Sequence, residues 1–181
     1  WVVGNSFLLC MNTCIFGLGV TFTGERFYGR LRSIIVSPVN KLMLVVESGV
    51  FPMLIAAATV FIGFLAGSLI FGVDFAGIPM GLFIIILLVA MFSASAFGLL
   101  LSTFGLLTPN MNFVLNLTSY ILMIFCGANF PIEQLPRAAR LISNVLPLTR
   151  SIEAAGMLFE TVDGHRLFTL LFGETVLGAA F

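Results

Sequence analysis

No charged residue lies between Asp74 and Glu133, and the same holds from Trp1 to Gly24 and from Ser48 to Val73. A water-soluble fold cannot be built from such runs, because an average soluble domain spreads charge over roughly a quarter of its residues. Here charged residues make up 9% of the chain and hydrophobic ones 60%. The hydrocarbon core of a bilayer is about 30 Å thick and takes about 20 apolar residues per helix, so each uncharged run can hold at least one crossing. The sequence therefore predicts an all-α, polytopic membrane protein.

The chain reads as a single transmembrane domain over 1–181 with about five spans, at about 1–21, 42–72, 80–106, 112–127 and 167–181. Trp1 suits a membrane interface, where its ring is apolar and its N–H stays wet. The second span is longer than a crossing needs, which predicts tilt or a kink near Pro52. The third and fourth are separated at "LTPNMN", where Pro109 lacks a donor and the asparagines favour a turn. The last begins between Leu167 and Leu171. The chain starts without Met and both ends fall in apolar stretches, which reads as a piece of a longer protein. Orientation follows from Lys and Arg near the span ends. Arg26, Arg30, Arg32 and Lys41 crowd the segment Gly24–Lys41, whereas the turn around Asp74 has no basic residue, so the first segment is expected in the cytosol.

Two polar segments keep a helical period. In "ERFYGRLRSIIVSPVNK", Phe27, Leu31, Ile34 and Ile35 recur at the spacing of one helix face while Arg26, Arg30 and Ser33 fall on the other. Pro38 ends that helix, expected over about 24–37. The pattern fits an amphipathic helix lying on lipid headgroups, and it equally fits a lever gripped by a cytosolic partner. In the second segment, about 129–160, Ala138, Leu141, Ile142 and Val145 share a face. Pro147 ends that helix, and Thr149 is expected to cap a second one containing Ile152, Ala155 and Phe159. Each piece spans about half the hydrocarbon thickness. A helix–break–helix that enters and leaves by one side satisfies its own backbone, so a re-entrant hairpin is expected, with an ordinary extracellular loop as the alternative.

Several chemistries are excluded or unsupported. Net charge is zero, so no basic surface points to nucleic acid. Cys10, Cys14 and Cys126 lack CxxC spacing and read as small packing residues. The single histidine, His165 in "VDGHR", stands outside any HExxH motif and reads as a solvated loop residue. No two acidic residues share a span, so a membrane-embedded metalloenzyme has no ligand set.

Glu25-Arg26 followed by Gly29, Leu31 and Ser37-Pro38-Val39 in the first segment, and Pro131, Leu135-Pro136 and Pro147-Leu148-Thr149 in the second, resemble the permease subunits of type-2 ATP-binding cassette (ABC) exporters, a resemblance under which Phe27, Arg30 and Arg32 would share the coupling role. The resemblance implies a cytosolic coupling helix, an extracellular re-entrant hairpin before the last span, and six spans in the intact family. One span would then precede Trp1 and the last would continue past Phe181. It further implies a second permease subunit, as homo- or heterodimer, and a separate cytosolic ATPase subunit that binds ATP and Mg. It also implies a multi-pass location in the plasma membrane of a bacterium. Independently, a P-loop needs Gly-Lys-Ser/Thr, and the only lysine, Lys41, stands between Asn40 and Leu42. This chain has no site of that kind and is expected to bind no cofactor.

Asn112, Asn116 and Ser119 fall at i, i+4 and i+7 on the fourth span, and Asn5 and Asn12 lie seven apart on the first. These stripes fit a substrate path and fit helix–helix hydrogen bonds equally well. A proton-coupled secondary transporter is the rival function. It would keep carboxylates at membrane depth, and only Glu47 and Glu174 are candidates.

Overall fold

The structure, a computed structural model, describes residues 2–27, 36, 41–72, 79–105, 108, 110–129, 136–158 and 164–181. Seven helices make up the described fold: α1 Val2–Phe27, α2 Lys41–Phe71, α3 Met80–Gly105, α4 Met111–Phe125, α5 Arg137–Val145, α6 Thr149–Met157 and α7 Gly164–Ala180. No strand occurs among the described residues.

The first helix is the centre of the bundle. Phe7, Cys10, Met11, Cys14, Ile15 and Leu18 recur every three or four residues and are all buried, because α1 is flanked by α2, α3 and α4. Between lipid-facing helices there is little hydrophobic driving force, so association relies on close packing at small residues. Gly17 supplies it against α2: a Cβ there would stand 2.6 Å from the ring carbons of Pro52. Gly98 does so on α3, where a Cβ would lie 3.2 Å from the Ile15 Cα. Near the other end of α1, Phe83 packs edge-to-face with Phe7 and with Phe64, at centroid distances of 6.1 and 4.8 Å.

Outward faces are apolar. Phe51, Leu54, Phe61, Ile62, Leu69 and Leu88 are all exposed, a surface that hydrocarbon rather than water must cover. Several hydroxyls inside the spans bond back to their own helices, as Thr13 to the Leu9 carbonyl at 2.9 Å and Thr59 to that of Ile55 at 2.8 Å. The stretches Val3–Val20, Glu47–Ile70 and Met80–Phe104 are long and apolar enough to cross a bilayer by themselves. The 15 residues of α4 rise about 22 Å and the 17 of α7 about 25 Å. The protein is an all-α, polytopic, integral membrane protein.

Three local expectations are corrected. Residues 24–27, assigned from sequence to the coupling segment, form the last turn of α1. Gly24 alone costs only about 1 kcal/mol in a helix, too little to stop a span of this length. The final helix begins at Gly164 rather than at Leu167–Leu171. His165 therefore sits exposed in the first turn of α7, not in a loop, and its carbonyl accepts the Thr169 hydroxyl at 2.9 Å.

Candidate functional site

The two short helices α5 and α6, nine residues each, meet at a break formed by Leu146, Pro147 and Leu148. Pro147 cannot donate a backbone hydrogen bond, which ends the helical ladder, and Leu148 then turns the chain with φ 78° and ψ −25°. It is the only non-glycine with positive φ among the described residues. A branched side chain there is held by its surroundings rather than by local preference. Pro147, Leu148 and Thr149 are all buried.

Two elements outside the hairpin hold the break, the end of α4 and the middle of α7. The Cys126 thiol, just past α4, donates to the Pro147 carbonyl at 3.3 Å, and the Ser143 hydroxyl donates to the Phe125 carbonyl. From α7, Glu174 accepts the Leu148 N–H on Oε1 at 2.6 Å. The Arg150 guanidinium returns a bond to the Gly173 carbonyl at 2.8 Å. Farther along, at the middle of α6, Glu153 pairs with Arg166 in the first turn of α7 at 2.6 Å. Helices α6 and α7 therefore lie antiparallel. Glu174 comes ten residues after Gly164, so the break sits about 15 Å along α7 from its start, beside its middle.

The expectation that Thr149 caps α6 is corrected. The N-cap is Leu148, and Thr149 is the first helical residue. Its Oγ1 is buried with no partner among the described residues. A left-handed residue at the cap points the chain differently from the extended N-cap that lets a Ser or Thr reach its own first turn.

Of the other predicted site residues, Asn12 and Ser119 are brought together: the Ser119 hydroxyl donates to Asn12 Oδ1 at 2.7 Å, joining α4 to α1. Asn112 and Asn116 are exposed, and the Asn116 amide donates to the Asn112 carbonyl at 2.7 Å. Asn5 is half-buried near the start of α1. Glu25, Arg26 and Phe27 belong to the last turn of α1. Gly29, Arg30, Leu31, Arg32, Pro38, Pro131 and Leu135 lie outside the described residues, whereas Pro136 directly precedes α5, is exposed, and accepts the Arg140 N–H at 3.0 Å. Glu47 is exposed near the start of α2 and Glu174 is fully buried. Cys10 and Cys14 are buried and free, and among the described residues no cluster of three metal-ligating side chains occurs.

An apolar groove of about 450 Å³ opens between α2 and α3, lined by Val60, Phe64, Phe83 and Leu87 among others. Ser68 is the one polar residue of that lining, and the surface facing the groove is apolar. What the sequence did not reveal was the partnership between Glu174 and the break. The available signal was a lone carboxylate within an apolar helix, since such a group needs donors close by.

No curated protein matches the chain. The family model of the ABC-2 type transporter matches residues 3–159, from the first turn of α1 past the end of α6. A match over that much of the chain, on a bundle of apolar helices interrupted by a helical hairpin with a buried break, settles the family: this chain belongs to the ABC-2 type transporters, as a membrane-embedded permease subunit of an ABC transporter.

Proposed function

We propose that this permease exports its substrate from a bacterial cell across the plasma membrane, driven by a separate cytosolic ATPase subunit that binds ATP and Mg. The observation that carries the proposal is the ABC-2 match in a segment whose only lysine stands outside any P-loop, which supports an ATPase lying outside this segment as the source of energy. Arg26 in the last turn of α1, with Arg30 and Arg32 in the sequence beyond it, supports a cytosolic side for this end of α1 and the segment that follows. There Phe27, Gly29 and Leu31 would enter a cleft of the ATPase while Glu25 and the arginines fix the register and Pro38 ends the segment.

A second permease subunit would complete the pathway. Asn112 and Asn116 support this, because carboxamides exposed on a membrane helix are poorly matched to acyl chains. With Asn5, Asn12 and Ser119 they define the face of α1 and α4 that would line the path. The hairpin α5–α6, with Pro131, Leu135 and Pro136 at its entry and Pro147 to Thr149 at its break, would enter from the extracellular side. Burial of the break beside the middle of α7 supports re-entry. A proton-coupled carrier is the second reading, favoured by the buried Glu174. The hydrogen bond from Leu148 gives that carboxylate a structural task instead.

The deciding experiment is Gly29→Leu. If the segment only lies on lipid, a larger apolar side chain is tolerated or helps. If it fills a cleft, any side chain at Gly29 blocks close approach. The variant is expected to insert normally, to lose co-purification with its ATPase or the stimulation of ATP hydrolysis, and to stop export. Retention of all three activities would sink the ATP-driven reading of this segment.

A further inference from the structure

A buried helix N-terminus needs acceptors for its first N–H groups, and in a membrane protein water does not supply them freely. The start of α6 has no local solution: Leu148 at the cap has no polar side chain, and no side-chain cap bond is made within the segment. The acceptor arrives from α7. Glu174 is fully buried, and its Oε1 stands 2.6 Å from the Leu148 nitrogen, where the dipole of α6 also favours a carboxylate. The clasp is double, because Arg150 in the first turn of α6 donates to the carbonyl of Gly173, the residue just before Glu174. Gly173 leaves room for it, since a Cβ there would lie 3.0 Å from the Arg150 Nη1. Where α7 passes α3, Gly178 allows a similarly close approach: a Cβ would lie 3.1 Å from the Ser93 Cα, so the helix bearing Glu174 is itself fixed to the bundle.

We propose that Glu174 is a positioning residue: it caps the second hairpin helix from across the chain and so holds the hairpin's break shut against the bundle. The hairpin and α7 then move together, and the permease reading gives this its meaning for transport. The test itself requires no transport. Cys126 bonds the carbonyl of Pro147 and is buried at the break, whereas Cys10 and Cys14 are buried in the α1 core, so the native thiols separate local opening from global loosening. In membranes, N-ethylmaleimide reactivity would be followed in two backgrounds, one retaining only Cys126 and one retaining only Cys10 and Cys14.

Glu174→Leu removes the acceptor and is expected to raise the Cys126 rate about tenfold or more while the α1 thiols stay protected. Glu174→Gln keeps a carbonyl oxygen for Leu148. Its amide replaces Oε2, an atom with no hydrogen-bond partner among the described residues, so no existing bond is lost and Cys126 stays protected. An unreactive Cys126 in Glu174→Leu, or a Glu174→Gln that opens as readily as the leucine variant, overturns the capping role. If Glu174→Leu loosens the whole fold and exposes all three thiols, Glu174→Asp decides. The shorter side chain should release Cys126 alone, and exposure of all three thiols or of none overturns the proposal. Failure of the ATP-driven reading would leave these rates unchanged.

Discussion

Asn12 and Ser119 illustrate what a single pair of polar atoms does inside an apolar bundle. Each would otherwise present an unmet hydrogen-bonding group to hydrocarbon, and each satisfies the other at 2.7 Å. The net value is modest, since such interhelical bonds average about 0.6 kcal/mol and reach about 1.7. Ser119→Ala and Asn12→Leu should each destabilise the protein in detergent-micelle unfolding by about 1 kcal/mol, and the double variant should cost less than the sum. Strict additivity would deny the pair an interhelical role. The spacing of Asn112, Asn116 and Ser119 was legible as one helix face. Its orientation was not, because that depends on α1. Met111, Leu115 and Leu122 are the buried residues of α4, and Ser119 is the stripe residue at the edge of that buried side, with the two asparagines turned outward. A periodic pattern gives a face, and only the neighbouring helix says what it meets.

The same division holds for the elements. Prolines and amphipathic spacing placed α5 and α6 correctly as two short helices with a break at Pro147, because these are local steric facts. The cap was misread as Thr149 because the capping rule assumes that a helix finds its acceptor nearby in sequence, and here it comes from 26 residues away. The start of α7 was set too late for a related reason: Arg166 looks like a loop residue until Glu153 on α6 pairs with it. The two polar segments are expected on opposite sides of the membrane. Single cysteines introduced as Ser33→Cys and Gln134→Cys, with the three native cysteines replaced, should react with impermeant thiol reagents from opposite faces. Labelling of both from one face would remove the re-entrant arrangement and the orientation together.

Across the whole molecule, α2, α3 and α4 fall within a residue or two of the spans expected from apolar run length, since hydrocarbon thickness constrains them directly. The central place of α1 shows only in the assembled bundle, where α1 is mostly buried and α2 mostly faces outward; the signal for it in the sequence was the lower mean hydropathy of α1, 1.5 against 2.3, with Asn5, Ser6, Asn12 and Thr13 among its residues. The buried carboxylate of α7 also bears on how the protein is made. During synthesis a segment is tested for entry into the bilayer largely on its own merits, and an ionised group near its centre adds about 2.5–3.5 kcal/mol against entry. Glu174 therefore handicaps its helix at the translocon, and the Leu148 N–H offsets part of that handicap once it is there to receive the carboxylate. Because α6 is synthesised first, α7 can enter beside a partner already in place. Glu174→Leu should accordingly act with opposite signs at two stages. It should raise the fraction of α7 inserted when the segment is tested alone in a glycosylation-mapping assay, and lower the protease resistance of the assembled permease. An isolated α7 that inserts equally well with glutamate or leucine would mean that the order of assembly is not written into this residue.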